Sequence, residues 1–252
     1  MSTPGHTEAV EVPMLNDEQA AGWHALLDLQ SRHPSGWTLV GGQLVHLWCA
    51  ARGSWPTRPT NDADAVLDVR GHPQALLEIT STLVDLGFTP DGTTRSGHQH
   101  RWIRGSATVD LLIPRYLGER AASRRGAGGA TTIETPGAQK ALNRTSTQAV
   151  LIDGRTGCVP RPSLVGAVVA KSAAHGVTLD THRRRHLIDF AVLGTLIRPN
   201  DVRGEAPLDR TERRRVTTMV GEMTVNRPVW AMVDGAAAGL QRLQMSLLRD
   251  WH

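Results

Sequence analysis

The spacing of apolar and polar positions divides the chain into a mixed first part and a helical second part. Short apolar runs of strand length lie at about 37–40, 62–69, 98–104, 108–113, 148–152 and 157–159. An apolar residue at every third or fourth position predicts helices at about 16–32, 43–52, 73–86, 163–175, 180–196, 208–222 and 228–249. Residues 1–13 lack any period and are predicted to be disordered. The order of elements predicts an α+β fold, with a mixed αβ domain at 14–160 and a C-terminal helical domain at 161–252.

Two consecutive glycines, Gly41 and Gly42, separate the first buried strand from an apolar helix. The backbone N–H groups at the start of a helix lack partners within it, and the helix dipole favours an anion there. Glycine also lets a ligand approach the backbone closely. The pattern is therefore compatible with a phosphate site, although a plain Gly-Gly turn is the alternative interpretation.

Three aspartates lie in or beside predicted strands. Asp62 and Asp64 are two residues apart, so in an extended strand both carboxylates point to one face. They repel each other unless a cation lies between them, and Mg²⁺ prefers such oxygen ligands. Asp110 lies between apolar residues of a strand and needs a partner if it is buried. The alternative for all three is a solvated edge strand.

The length and composition indicate a globular chain with no membrane partner. Of the 252 residues 40% are hydrophobic, and no apolar run reaches the roughly 18 residues of a membrane span. The N-terminus lacks the basic and apolar regions of a secretory signal. Cys49 and Cys158 do not have the spacing of metal ligands. A cytoplasmic location is the resulting expectation.

The positive charge is carried almost entirely by arginine. The formal net charge is +4 and the sequence pI about 9.8, which permits contact with a nucleotide or nucleic acid. Lys140 and Lys171 are the only lysines. Lys171 lies among small apolar residues, where it either reaches the surface or pairs with an acid. Asp189 on the next helix is such an acid, with Arg185 or Lys171 as its candidate partner.

A segment rich in glycine, alanine and arginine lies at 118–131. It contains Arg120, Arg124 and Arg125 and is predicted to be a mobile loop or an insertion. Its arginines suggest either a solvated linker or a flexible basic arm near a phosphate-rich substrate.

These motifs follow one another along the chain in the same order as in a known family of proteins. Over about residues 35–195 the sequence resembles the minimal nucleotidyltransferase superfamily, which has a polymerase-β-like fold. More narrowly, it resembles the AbiEii/MenT-type toxins of type IV toxin–antitoxin systems. The motifs that support the resemblance are Gly41-Gly42, Arg58-x-Thr60-x-Asp62-x-Asp64, Val109-Asp110, Lys171, and a basic run that ends at Asp189.

The resemblance implies a role for each matching position. Asp62, Asp64 and Asp110 would bind Mg²⁺, and Asp110 would also help to deprotonate the attacking hydroxyl. Lys171 would bind the triphosphate, and Asp189 matches the acid that closes the basic helical motif of the active site. The implied nucleotide-binding set is Gly41, Gly42, Gln43, Arg58, Thr60 and Lys171. Two positions depart from the family pattern: Gln43 replaces a common serine or threonine, and His186 replaces a common aspartate.

The implied reaction is the transfer of NMP from an NTP to an acceptor hydroxyl with release of pyrophosphate. The leading hypothesis is a toxin that modifies the 3′ end of tRNA and has a cognate antitoxin protein as partner. The enzyme alternative is a small-molecule nucleotidyltransferase of the aminoglycoside type, which is expected to have an acidic pocket for a cationic drug. The third hypothesis is a non-catalytic scaffold that binds a nucleotide or a partner protein.

Overall fold

Two β-sheets and the helices around them form the first part of the chain, and helices alone form the second. The computed structural model describes residues 9–177 and 184–248. Within these residues the strands are β1 (Val10–Glu11), β2 (Trp37–Val40), β3 (Ala63–Leu67), β4 (Thr89–Pro90), β5 (Arg101–Arg104), β6 (Ala107–Pro114), β7 (Ile133–Thr135), β8 (Thr145–Ile152) and β9 (Arg155–Pro162).

The helices of the same residues confirm the predicted α+β class. They are α1 (Asp17–Arg32), α2 (Gly41–Ala51), α3 (Ala75–Asp85), α4 (Glu119–Ala122), α5 (Ala138–Asn143), α6 (Leu164–His175), α7 (Arg184–Leu196), α8 (Pro199–Val202), α9 (Arg210–Val225), α10 (Arg227–Trp230) and α11 (Ala236–Leu243), followed by a π-helical turn at Gln244–Leu248. None of the described helices is both long and apolar enough to span a bilayer.

The larger sheet is mixed and has the strand order β2-β3-β6-β5-β4, with β7 paired to the end of β6. β3 and β6 run parallel, whereas β2 and β5 pair antiparallel with their neighbours. The register places Asp64 beside Asp110 and places Arg101 on the other side of Asp110. Residues that pair directly across strands point to the same face, so these three side chains share one face of the sheet.

The smaller sheet has the order β1-β8-β9. β8 and β9 form the predicted hairpin, which is longer than its apolar run and turns at Asp153 and Gly154, both with positive φ. β1 pairs parallel with β8, and the Val12 N–H donates to the Leu151 carbonyl at 3.0 Å. The prediction of disorder is therefore wrong for residues 10–12, because a two-residue strand is too short to show a period. Residues 1–8 lie outside the described part.

Helix ends agree with several sequence signals. Asn16 caps α1 by accepting from the Gln19 N–H, as predicted. Gly87 follows α3 with a φ of 84°, and the Phe88 N–H returns to the Leu83 carbonyl. The predicted helix at 208–222 instead begins after Asp209, which caps α9.

The last two predicted helices differ from the structure. The predicted helix at 228–249 is interrupted, because Gly235 has a φ of 72° and starts α11 as a new helix. The helix predicted at 180–196 is described from Arg184 onward, and residues 178–183 lie outside the described part.

The segment at 118–131 is anchored rather than free. The Ala127 N–H donates to the Thr80 hydroxyl at 2.8 Å, and the Arg124 guanidinium donates to the Val69 carbonyl. Arg125 donates to the Gly129 carbonyl at 2.6 Å. Contacts with Thr80 and Val69 thus hold the segment against the rest of the fold, and its role as a linker or a basic arm stays a prediction.

The larger of two hydrophobic clusters among the described residues extends from the sheets into the helical part. It contains Trp23 and Leu39 from the first part, together with Phe190, Val216 and Met223 from the helices. All five are buried. The proposed division at residue 160 remains a prediction from the sequence.

Candidate functional site

The aspartates predicted from distant parts of the chain come together at one end of the β3–β6 pair. Asp64 and Asp110 are direct neighbours across the two parallel strands. Asp62 precedes β3 by one residue, and a single guanidinium contacts both Asp62 and Asp110. The three carboxylates therefore face a common space.

The two glycines are required by the close approach of neighbouring side chains. Gly41 has a φ of 71°, and a Cβ built there would overlap the carboxylate of Asp64. A Cβ at Gly42 would lie 2.5 Å from the Thr60 hydroxyl. The two glycines thus let the start of α2 pack against Asp64 and Thr60. The first N–H groups of α2 have no partner within the helix.

Asp64 is the most strongly perturbed acid at this site. Burial and the nearby charge of Asp110 raise its pKa to about 7, and Lys171 and Arg185 only partly oppose the shift. A carboxylate with a raised pKa beside two others lacks sufficient positive charge. This is the condition in which a bound divalent cation gains most from the site.

Arg101 was missed by the sequence analysis and lies against the acids. Its Nε donates to Asp110 Oδ1 at 2.9 Å, and one terminal nitrogen donates to Asp110 Oδ2 at 2.8 Å and to Asp62 Oδ2 at 3.0 Å. The hydrogen bonds that Arg101 donates to Asp110 raise the pKa of Arg101 above its ordinary value. The register around the Gly105-Ser106 turn was the available signal, because it pairs residue 101 with residue 110.

A second charged group lies on the helical side. Lys171 Nζ donates to Asp189 Oδ2 at 2.6 Å, and Arg58 donates to both carboxylate oxygens at 2.9 and 2.8 Å. Burial raises the pKa of Asp189, but Lys171 and Arg58 outweigh this effect and hold it at about 2. Of the two candidate partners for Asp189, Lys171 forms the pair, and only 5% of Lys171 is exposed.

The side chain of Gln43 does not have the position expected of a nucleotide ligand. It is fully buried, accepts from Trp23 Nε1 at 2.8 Å and donates to the Thr60 carbonyl at 2.9 Å. The assignment of Gln43 to the nucleotide is therefore corrected for its side chain, because its amide supports the Thr60 loop from inside. The backbone N–H of Gln43, in the first turn of α2, is the group left to face a ligand.

His46 completes this buried support and was also missed. Its Nδ1 accepts from Gln19 Nε2 at 2.7 Å, while its Nε2 donates to the Arg58 carbonyl at 2.8 Å. Burial lowers the pKa of His46, which favours the neutral ring that this pattern requires. The sequence signal was a histidine on an otherwise apolar helix face.

The basic run before Asp189 is partly described. Arg184 and Arg185 are exposed at the start of α7, whereas His186 is buried. Arg185 acts electrostatically on Asp64, so the start of α7 lies near the acidic group. Arg183 lies outside the described residues.

The oxygen atoms of the three carboxylates suit a hard divalent cation, although these side chains are not arranged as a complete metal site. Among residues 9–177 and 184–248, no three His, Cys, Asp or Glu side chains are arranged as a ready metal site. Arg101 forms ion pairs with both Asp62 and Asp110 and contributes positive charge beside them. Three carboxylates on one face nevertheless supply the oxygen donors that Mg²⁺ prefers.

Comparisons with known proteins identify the fold. No protein-family model matches the sequence, and no curated protein matches it. A solution structure of the antibiotic-resistance factor ANT(2'')-Ia is 14% identical, with a TM-score of 0.44 over 83% of this chain and 95% of that one. The crystal structure of an antigenic nucleotidyltransferase-like protein from Paracoccidioides brasiliensis is 13% identical, with a TM-score of 0.51 over 93% of this chain and 99% of that one. The second of these likenesses shows that the chain has a nucleotidyltransferase-like fold.

Proposed function

We propose that the protein is a divalent-metal-dependent nucleotidyltransferase that moves NMP from an NTP to an acceptor hydroxyl. The observation that carries this proposal is the convergence of three carboxylates beside a glycine-bounded helix start. Asp64 touches the position of Gly41, pairs across strands with Asp110, and lies within electrostatic reach of Lys171. Phosphoryl-type transfer requires mainly this combination of positioning and charge neutralisation.

The nucleotide phosphates would lie between the start of α2 and the buried lysine. Gly41 and Gly42 offer backbone N–H groups, and Thr60 lies against Gly42 with its hydroxyl. Lys171 supplies an ammonium held in place by Asp189. Arg58 donates to Asp189 from the other side, so we infer that its side chain positions the lysine, in place of the nucleotide contact that the resemblance implied.

The acids would hold the metal and receive the proton. Asp62, Asp64 and Asp110 are the proposed ligands of Mg²⁺, which when bound would neutralise charge on the phosphates. The acceptor oxygen forms a bond to the α-phosphorus, and the bond from this phosphorus to the bridging oxygen breaks, so that pyrophosphate leaves. The proton of the acceptor hydroxyl passes to the carboxylate of Asp110.

The charges around the site favour an anionic acceptor. Arg185 is exposed at the start of α7 and acts electrostatically on Asp64, and Arg184 is exposed next to it in the sequence. An aminoglycoside is cationic and would be repelled by these arginines once the metal neutralises the three carboxylates. We therefore propose the 3′ end of tRNA as acceptor, with a toxin role and a cognate antitoxin protein following from the family resemblance alone.

The test is transfer of label from each α-labelled NTP to total tRNA, with a panel of aminoglycosides in parallel. With Mg²⁺ present, we expect labelled tRNA from the wild-type protein and at least a 100-fold loss, to order of magnitude, in Asp62→Ala and Lys171→Ala. Lys140→Ala is the matched control, because it removes the other lysine, whose Nζ pairs with Asp209 away from the acids.

Two outcomes separate the parts of this proposal. Label on an aminoglycoside but not on tRNA would keep the transferase and replace the acceptor. Full activity of Asp62→Ala, with circular dichroism showing all variants folded, would contradict the assignment of the acidic site itself.

A further inference from the structure

We propose that Arg101 is a positioning residue that holds the acids in the metal-free protein and must release Asp62 when a divalent cation binds. This inference rests on the proposed function and concerns the same three carboxylates. Arg101 contacts Asp62 when no metal is bound and loses this contact when the metal binds.

The contacts of Arg101 use the oxygens that a metal would need. Both oxygens of Asp110 and one oxygen of Asp62 accept hydrogen bonds from this guanidinium at 2.8–3.0 Å. A cation bound by the same carboxylates would share their lone pairs with the guanidinium and repel its positive charge, and the single hydrogen bond to Asp62, the longest of the three, is the contact that would break. The guanidinium and the metal therefore compete for Asp62.

The strand register makes this competition a built feature of the sheet. Arg101 lies directly across from Asp110, and Asp110 lies across from Asp64, so all three side chains are adjacent on one face. The side chain of Arg101 is 35% exposed, which gives it a solvent-facing path away from Asp62. Asp62 is the more exposed of its two partners, at 44% against 10% for Asp110.

Arg104 on the same strand provides a comparison. It lies three residues further along β5, where its guanidinium stacks 4.6 Å from the Phe88 ring and donates to the Leu86 carbonyl. It has the same charge and lies on the same strand, but its side chain points to the opposite face of the sheet and has no hydrogen bond to the three acids among the described contacts. Removal of its charge is therefore a matched control for Arg101.

Removal of Arg101 should raise the affinity for the metal, whereas removal of Arg104 should leave it nearly unchanged. Loss of Arg101 removes both a competing donor and a repelling positive charge within a few ångströms of the cation. A lysine at this position keeps the charge but cannot form the forked contact to Asp110. The metal affinity should therefore rise most in Arg101→Met and less in Arg101→Lys.

The experiment is a titration with Mn²⁺ at pH 8, in which electron paramagnetic resonance measures free Mn²⁺ without any nucleotide or acceptor. We expect Arg101→Met to bind Mn²⁺ roughly tenfold more tightly than the wild type and Arg101→Lys about threefold more tightly. Arg104→Met should stay within about twofold, because its guanidinium lies away from the carboxylates. Circular dichroism monitors folding, and Arg101→Lys decides the question if Arg101→Met does not fold.

Each result has a distinct meaning. Unchanged Mn²⁺ affinity in both Arg101 variants, with binding by the wild type intact, would overturn the alternating contact and leave the transferase proposal standing. Absence of Mn²⁺ binding by the wild type and by both folded Arg101 variants would remove the metal site and overturn both proposals.

Discussion

Asp64 shows at the scale of a single residue how the site differs from the rest of the fold. Burial and the charge of Asp110 raise its pKa to about 7, while the ordinary value for an aspartate is about 3.9. Folding therefore disfavours its ionised form. The folded protein tolerates this cost at one half-buried position, where the ionised form is the one a metal would bind.

This shift predicts a specific dependence of stability on pH. Between about pH 4 and pH 7 the folded state holds a proton on Asp64 that the unfolded state has lost, so metal-free stability falls as pH rises. In Asp64→Asn this contribution is absent. We expect urea unfolding at pH 5, 6, 7 and 8 to show that the free energy of unfolding of the variant rises relative to that of the wild type. The relative gain should reach roughly 1–3 kcal/mol at pH 8.

The difference between the two proteins cancels the titrating groups that lie away from Asp64. It should level off above about pH 8, where Asp64 is ionised in both states. A difference that is constant from pH 5 to pH 8 would contradict the raised pKa.

Some residues of the site were within reach of the sequence and others were not. Asp62, Asp64, Asp110 and Lys171, which the family resemblance implied as one site, lie together in the structure, whereas strand spacing alone predicted only that Asp62 and Asp64 share a face. Arg101 could not be distinguished from the many other arginines of the sequence until the register of the β5–β6 hairpin was known. Gln43 looked like a ligand by position, and only its burial against Trp23 shows a structural role.

At the scale of elements, the segment between α2 and β3 is held from two directions. Gln43 and His46 on α2 bind the carbonyls of Thr60 and Arg58. Asp189 on α7 binds the Arg58 side chain and, with it, Lys171. The segment that leads into Asp62 therefore depends on a helix more than a hundred residues away in the sequence.

Removal of the charge of Asp189 should disturb this segment strongly. In Asp189→Asn the buried Lys171 loses its carboxylate partner, and a broken buried pair costs about 3–5 kcal/mol. We expect a loss of about that size in the free energy of unfolding measured with urea.

Asp209→Asn is the matched control for this change. It removes an equivalent pair with Lys140 at a more exposed position, and asparagine still caps α9. Its cost should be about 1 kcal/mol or less. Equal losses in the two variants would contradict the structural importance of the buried pair.

Elements with long patterns were predicted better than short pairings. The α1 helix, the hairpin of β5 and β6, and the strand before Gly41 follow from apolar spacing and turn residues. β1, β7 and α5 have two to six residues each and were not predicted. Such short elements exist through partners elsewhere in the chain, which no local pattern records.

At the scale of the whole molecule, the shared core ties the sheets to the helices. Phe190 on α7 is fully buried in the same cluster as Trp23 on α1. The Lys171 and Asp189 pair belongs to this helical side. Integrity of the proposed site should therefore depend on packing well beyond the sheet.

This core predicts one cooperative unfolding transition. Urea curves followed by far-ultraviolet circular dichroism and by tryptophan fluorescence should coincide. Phe190→Ala should shift both curves together by about 3–5 kcal/mol. Val225→Ala, at a residue 80% exposed, is the control and should shift them by about 0.5 kcal/mol or less. Two separate transitions would contradict a shared core.

The contact between Gly41 and Asp64 has a consequence for reading related sequences. Any other amino acid at position 41 brings a Cβ into the carboxylate and must also adopt a positive φ. A single nucleotide change in that codon could therefore silence the protein while every aspartate stays in place. Degenerate copies of such a gene would look intact to a search for acids, and this glycine is the position at which to recognise them.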